Sequence, residues 1–378
     1  MDFGLSEEQR LLQETLHRFI EERAPISWVR AWMRGEAEGD RELWQGLSEL
    51  AGVGALIPDA YGGAGLGLLD AALVAQALGH GAVPAPFLAA AVMAPTAFLS
   101  AGTPGQRENW LPRIARGDVR LGVAIGHVIA PRADEGVTLR QGRLHGRSLF
   151  ALDAASADAF LVALERGGLQ VVERSSAGLQ LEPLATIDRT RTTAELIFED
   201  VAPLEALGGA RGGPTAVTRM LDAGRIALAA DTLGACDRML AMAVDYAQER
   251  QQFGRVIGSF QAVKHLCAEM VAELEPARSL LWYAAHAFDH VPEESRLMAT
   301  LAKAHLSEVG TRIAKTSTEV HGGIGFTDEH DLHLWFKRIG LNRQLLGSPQ
   351  RLRRTAARLQ GWDRSESGST EDLETPLL

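Results

Sequence analysis

The sequence predicts an α+β fold in three parts: an N-terminal α-helical domain, a central β-barrel-like domain and a C-terminal antiparallel four-helix bundle. Three observations predict it. Apolar residues recur at helical spacing through the first third of the chain. Near Asp118 they give way to short alternating runs separated by glycine turns. From about Pro214 helical periodicity returns in long segments with short connections, the pattern of a bundle. The limits read as 1–117, 118–205 and 206–362, followed by an acidic tail at 363–378.

Ser6 and Gln9 form a capping box, with Glu7 and Glu8 in the first turn. Leu12, Leu16, Phe19 and Ile20 then share one helical face. Asp40 reads as the cap of a second helix carrying Leu43, Trp44 and Leu47. The glycine-rich stretch from Pro58 to Gly67 has no Lys-Ser/Thr pair and no strand before it, so it does not read as a phosphate loop. The most apolar window, Phe87 to Ala101, is interrupted by Pro95 and is shorter than the roughly 20 residues a bilayer requires. Thr103 and Gln106 make a second capping box, with Pro104 in the first helical position.

The alternating runs are Val119 to Ile125, Val137 to Phe150, Ala159 to Leu164, Leu169 to Val172 and Ala194 to Phe198. Gln141-Gly142 and Arg166-Gly167-Gly168 supply turns, and Pro131, Pro183 and Pro203 punctuate the region. Helical segments follow from about Pro214 to Glu249, Phe260 to His290, Pro292 to Val320, Asp331 to Leu346 and Pro349 to Leu359. Pro276 is expected to kink the second of these. The tail after Trp362, rich in Ser, Glu and Asp, is expected to be disordered.

Composition narrows the class without naming a function. The chain has 378 residues, 46% apolar and 23% charged, as in an ordinary globular protein. Its net charge is −10, of which the tail supplies about −4. A mildly acidic body lacks the clustered cations of a nucleic-acid binder. Cys236 and Cys267 fall in helical stretches and read as small buried residues, not as a disulfide or metal ligands. The N-terminus carries neither a basic nor an apolar leader, so the expected location is cytoplasmic, with no membrane insertion.

Two segments carry chemistry. The first is Glu249-Arg-Gln-Gln-Phe-Gly254, followed by Gln261. A guanidinium at a helix end with an aromatic three residues on offers a fork for a diphosphate and a ring face for a base. Taken singly, Arg250 and Phe253 also read as a helix-terminal cation and a core aromatic. The second is Glu319-Val-His-Gly-Gly-Ile-Gly-Phe326, followed by Thr327-Asp-Glu-His-Asp331. Gly322, Gly323 and Gly325 let a backbone approach a phosphate closely. His321 has no second residue at metal-ligand spacing, so no metal is expected. Asp328 to Asp331 read as a solvated helix start.

Together with the order of the three parts, these segments resemble the acyl-CoA dehydrogenase family, from Leu5 to about Arg358. The Pro58–Gly67 loop and Phe198-Glu-Asp-Val201 belong to the resemblance. It implies FAD as cofactor, an acyl-CoA substrate, α,β-dehydrogenation and an electron-transferring flavoprotein as acceptor. Arg250, Phe253, Gln261, Glu319, Gly322 and Gly323 would contact the ADP half of an FAD seated in a neighbouring subunit. Asp222 and Arg225 would contact the acyl-CoA.

The catalytic base departs from the family. Most members carry a Glu in a Tyr-Glu-Gly-Thr motif; here the stretch is Leu345-Leu346-Gly347-Ser348, and Leu cannot take a proton. Others place the Glu on the first bundle helix, where this chain has Gly224. Asp222 lies two residues away, on a different helical face. The Thr-Glu pair expected near Val123–Ala130 for the flavin ring is missing, and Phe150-Ala151-Leu152 replaces a Trp-x-Ser/Thr. The neighbour's contacts are kept while the chain's own are lost. That asymmetry suggests a heterotetramer subunit supporting a paralogous catalytic partner, with fatty-acyl or bulkier steroid-type CoA thioesters as substrates. A homotetrameric enzyme with an unrecognised base, or a non-enzymatic acyl-CoA or protein-binding module, are the other readings.

Overall fold

The computed structural model of the chain describes residues 4–362, with backbone alone at 209–214; the acidic tail at 363–378 lies outside the described residues. Helix α1 (Glu7–Arg23) starts where its capping box places it, with Ser6 Oγ accepting from the Gln9 amide at 3.2 Å. Helix α2 (Ile26–Met33) follows Pro25 and has no counterpart in the sequence reading. Helix α3 (Asp40–Glu49) corrects the cap: Gly39, at φ 95°, occupies that position and Asp40 is the first helical residue. There Asp40 joins Glu42 in facing the positive end of the helix dipole. Helix α4 spans Leu68–His80, and a π-helical stretch (Leu88–Met93) leads into α5 (Ala94–Ala101). Helix α6 (Pro104–Ala115) keeps the Thr103/Gln106 capping box and Pro104 at its start.

One mixed sheet follows. Its strands are β1 (Leu121–Ala124), β2 (Gly136–Arg140), β3 (Arg143–Leu152), β4 (Ala159–Ala163), β5 (Leu169–Glu173), β6 (Leu179–Leu184), β7 (Thr193–Val201) and β8 (Glu205–Ala206). A single-turn helix, α7 (Gly126–Ile129), sits between β1 and β2. The order is β6-β7-β3-β1-β4-β5-β8, with β2 on β3, and only β1 and β4 pair in parallel. Gln141 and Gly142 both take positive φ, the two-residue turn that suits the twist of a β2–β3 hairpin. Strand β6 went unread because Pro183 punctuates it; as the outermost strand it can lack one backbone donor.

Helix α8 (Gly209–Glu249) is followed by the two-residue strands β9 (Gln251–Gln252) and β10 (Arg255–Val256), and then by α9 (Gln261–His290), α10 (Pro292–His321), α11 (Leu332–Gln344) and α12 (Pro349–Leu359). Helix α9 runs through Pro276 as a single element. Helix α11 stops two residues short of Leu346, which therefore lies in a turn.

The chain divides into two compact units that cut across these elements. The first joins residues 4–38, Ala72–Pro84 and Arg225–Ala356, and so contains α1, α2, most of α4 and the helical bundle. Here α4 and α8 touch through their backbones: a Cβ at Gly79 would collide with the carbonyl of Asp231, and one at Gly234 with that of Gln76. The second unit joins Gly39–Ala71, Ala85–Gly224 and 357–362, with α3, α5, α6 and the sheet. Val137, Leu144, Phe160, Val162 and Leu196 form the sheet's core. Cys236 is buried and Cys267 half-buried, both as free thiols.

Candidate cofactor and substrate site

Helix α8 ends at Glu249, and the β9–β10 hairpin presents Phe253 and Gly254 at its tip. Phe253 sits at φ 54° and is 91% exposed. That excludes the reading of Phe253 as a core aromatic. A left-handed backbone costs an L-residue roughly 1–2 kcal/mol, and here no burial offsets it. Phe260 meets the ring in a T-shaped arrangement, at 6.1 Å between centroids, while the Arg255 guanidinium lies 4.0 Å over Phe260. Arg250 is exposed, with its backbone tied to Tyr246 and Ile257. Gln261 is exposed at the first position of α9.

The glycine segment forms the second exposed surface. Helix α10 ends at His321, and Gly322 turns the chain at φ 63°, ψ −141°, a conformation open in practice to glycine alone. A Cβ at Gly322 or Gly323 would meet nothing within 4 Å, so both backbones face open space. Glu319, Gly322 and Gly323 are exposed, as are Ile324 and Phe326, the last at 80%. Gly325 is buried against His321 and Thr318. His321 is buried as well: its Nδ1 lies 2.7 Å from the Ser317 carbonyl and its ring stacks on Tyr246 at 4.7 Å. Burial holds its pKa below the ordinary imidazole range, so the ring is neutral and Nδ1 donates. One imidazole thus joins the last turn of α8 to the root of the glycine segment. An exposed guanidinium, an exposed ring face and open backbone fit the ADP half of a dinucleotide.

The position of the family base contrasts with this. Leu346 also takes a left-handed backbone, at φ 56°, but is 2% exposed. Arg225 Nε donates to its carbonyl at 3.2 Å. Lys303, 1% exposed, donates to the Asn342 carbonyl at 2.8 Å and to Ser307 Oγ at 2.9 Å, capping the end of α11. Burial first, then the nearby charges of Arg225 and Arg343, push the Lys303 amine down to about 7. Asn342 Nδ2 donates to Asp231 Oδ1 at 2.6 Å, and the Arg338 guanidinium holds the same carboxylate from 2.7 Å. Asp231 serves this buried framework. No carboxylate stands at position 346 or at Gly224, which lies in a fully buried run of α8. Asp222 and Arg225 are buried three residues apart on that helix.

Neither the Val123–Ala130 stretch nor Phe150-Ala151-Leu152 carries the Thr-Glu or Trp-x-Ser/Thr groups that the resemblance expects beside a flavin ring. Ile125 leads into α7, whose His127 is buried. Glu135 accepts from the Leu149 amide at 3.1 Å. Phe150 is at φ 52°, and Leu152 packs in the sheet opposite Val123 and Thr193. Neither Ala151 nor Leu152 supplies a hydroxyl.

Sequence reading missed Lys303, Asp231, Arg338, Asn342 and Arg30. One signal was present: Lys303 falls inside the apolar stripe from Ala299 to Leu306, where a charge must be buried or functional.

A helical, mixed-sheet, helical-bundle chain with this exposed surface defines a class of flavin-linked oxidoreductases. The chain matches the acyl-CoA dehydrogenase N-terminal domain over residues 6–118 and the C-terminal domain over residues 211–360, and it belongs to the acyl-CoA dehydrogenase family. It is 36% identical to the acyl-CoA dehydrogenase IpdE2 of Mycobacterium tuberculosis, over 92% of this chain and 96% of that one. The ChsE4-ChsE5 complex of M. tuberculosis superposes with a TM-score of 0.86 at 27% identity, covering 97% of this chain and 100% of the other. The Tcur3481-Tcur3483 steroid ACAD gives 0.84 at 30% identity, covering 94% and 98%. Among the described residues no helix is long and apolar enough to cross a membrane.

Proposed function

We propose that this chain is the supporting subunit of a heterotetrameric acyl-CoA dehydrogenase. It would lend Arg250, Phe253, Gln261, Glu319, Gly322 and Gly323 to the ADP half of an FAD seated in a paralogous catalytic partner. The observation that carries the reading is the contrast between an exposed, strained Phe253 and a buried Leu346 where a base would stand. Bound FAD supplies the hydride acceptor for α,β-dehydrogenation of a CoA thioester. Arg250 would neutralise diphosphate charge, the Phe253 ring would cover the adenine, and the amides of Gly322 and Gly323 would approach the phosphates. Asp222 and Arg225 are assigned to the acyl-CoA.

One similar structure is described as a steroid ACAD and another as a complex of two proteins, and the first favours a bulky, steroid-derived acyl chain. The electron acceptor is assigned to an electron-transferring flavoprotein, and the three domains to 1–117, 118–205 and 206–362. The test is Arg250→Ala in a co-purified pair with a paralogous dehydrogenase that carries the catalytic Glu. Flavin retention should fall at least tenfold while the pair stays assembled; unchanged retention rejects the lending role.

A further inference from the structure

The loop that follows the glycine segment is bonded from outside the bundle helices, by Arg30 of α2. Its Nε donates to Asp331 Oδ1 at 2.5 Å and its Nη2 to the Asp328 carbonyl at 3.0 Å. These two acceptors are the two ends of the loop that returns the chain from the glycine segment to α11. Arg30 and Asp331 are about a quarter and a third exposed, so the pair is partly screened from water. The loop's other fastenings are to the end of α10, to α11 or within the segment itself. His333 Nε2 lies 2.9 Å and Lys337 Nζ 3.9 Å from Asp328 Oδ1. The Thr327 hydroxyl donates to the Ile324 carbonyl at 2.8 Å. His330 packs against His321 at 4.8 Å between ring centroids. Arg30 alone among these ties the loop to a distant part of the sequence, some 300 residues away. The helix start expected to be solvated is so at Asp328 and Glu329, both exposed, and is anchored at Asp331 by Arg30.

We infer that Arg30 is a positioning residue for the FAD-facing segment Gly322–Phe326. This rests on the proposed lending role. The segment has little burial of its own: Gly322, Gly323, Ile324 and Phe326 are all exposed. A segment with so few apolar contacts opens at low cost unless both its ends are fixed. One end is fixed by the buried His321, the other by Arg30. A planar guanidinium holds its Nε and Nη2 donors in one rigid fork aimed at these two acceptors, and the ammonium of a lysine, a single point on a flexible stem, does not reproduce that spacing. Arg30→Lys should keep the charge and lose one of the two bonds.

The test uses the assembled pair of this chain and that paralogous dehydrogenase. Arg30→Met should speed amide exchange across 322–331 at least tenfold, leave the melting temperature within a few degrees, and lower flavin retention about tenfold. Arg30→Lys should fall between, and Asp331→Asn should mimic Arg30→Met. Arg250→Ala should lower retention without changing exchange. Unchanged exchange in Arg30→Met, or exchange rising throughout the chain, overturns the inference. So does faster local exchange with full retention while Arg250→Ala loses flavin. If Arg250→Ala itself keeps its flavin, it is the lending role that fails.

Discussion

Phe253 and Leu346 share a backbone conformation and differ in almost everything else. Each is a left-handed apolar residue followed by a glycine. Phe253 points outward from a two-residue hairpin, at 91% exposure, with one aromatic ring near it. Leu346 points inward at 2% exposure, its carbonyl held by Arg225 in a turn that Lys303 anchors through α11. In Leu346 burial and hydrogen bonds offset the strain. In Phe253 the left-handed backbone belongs to the two-residue turn of the β9–β10 hairpin, and the ring itself gains almost no burial, which leaves its surface open to a ligand. The turn at 346 is a buried scaffold that carries no carboxylate; the hairpin at 253 presents an exposed ring.

The largest expected effect tests the scaffold. Arg338→Met leaves Asp231 buried without its guanidinium and should cost about 3–5 kcal/mol in denaturant unfolding. A cost near zero would mean that the buried network does not hold the turn. Glycine at the two strained positions then separates them. Leu346→Gly should destabilise by about 2–4 kcal/mol, because lost packing outweighs strain relief. Phe253→Gly should change stability by less than about 1 kcal/mol, since relieved strain and added chain entropy nearly cancel. Equal costs at both positions would erase the distinction.

Lys303 adds a dependence on pH. Its ordinary value is 10.5 and burial lowers it to about 7 in the folded chain. Between these values the unfolded chain binds the extra proton and the folded chain does not, so this group's contribution to stability rises with pH across that window and is lost as pH falls to 7. Comparing unfolding free energies of the native chain and Lys303→Met from pH 7 to 10 should show the slope only in the native chain. The smallest effect is a control: Arg312→Ala breaks an exposed pair with Glu273 and should shift stability by less than about 0.5 kcal/mol.

Much of this contrast was legible in the sequence, for specific reasons. Capping boxes at Ser6 and Thr103 are local hydrogen-bond patterns, and they start α1 and α6 as read. The turn at Gln141-Gly142 is likewise local. Asp40 misled because an acid just inside a helix and an acid capping it look alike in sequence; Gly39 is the cap. That position 346 offers no group able to take a proton could be read from residue type alone. What could not be read was burial at long range. Lys303 meets Asn342 across 39 residues, and Arg30 meets Asp331 across 301. No periodicity encodes such pairings. Nor could spacing distinguish an exposed Phe253 from a core aromatic, because one residue's exposure depends on what folds over it.

The central claim is tested most directly by measuring bound flavin in the chain purified alone and again after co-expression with a paralogous dehydrogenase that carries the catalytic Glu. The account predicts little flavin and no turnover alone, and stable flavin with turnover in the pair, lost on Arg250→Ala. A chain that by itself binds flavin fully and oxidises an acyl-CoA would contradict it.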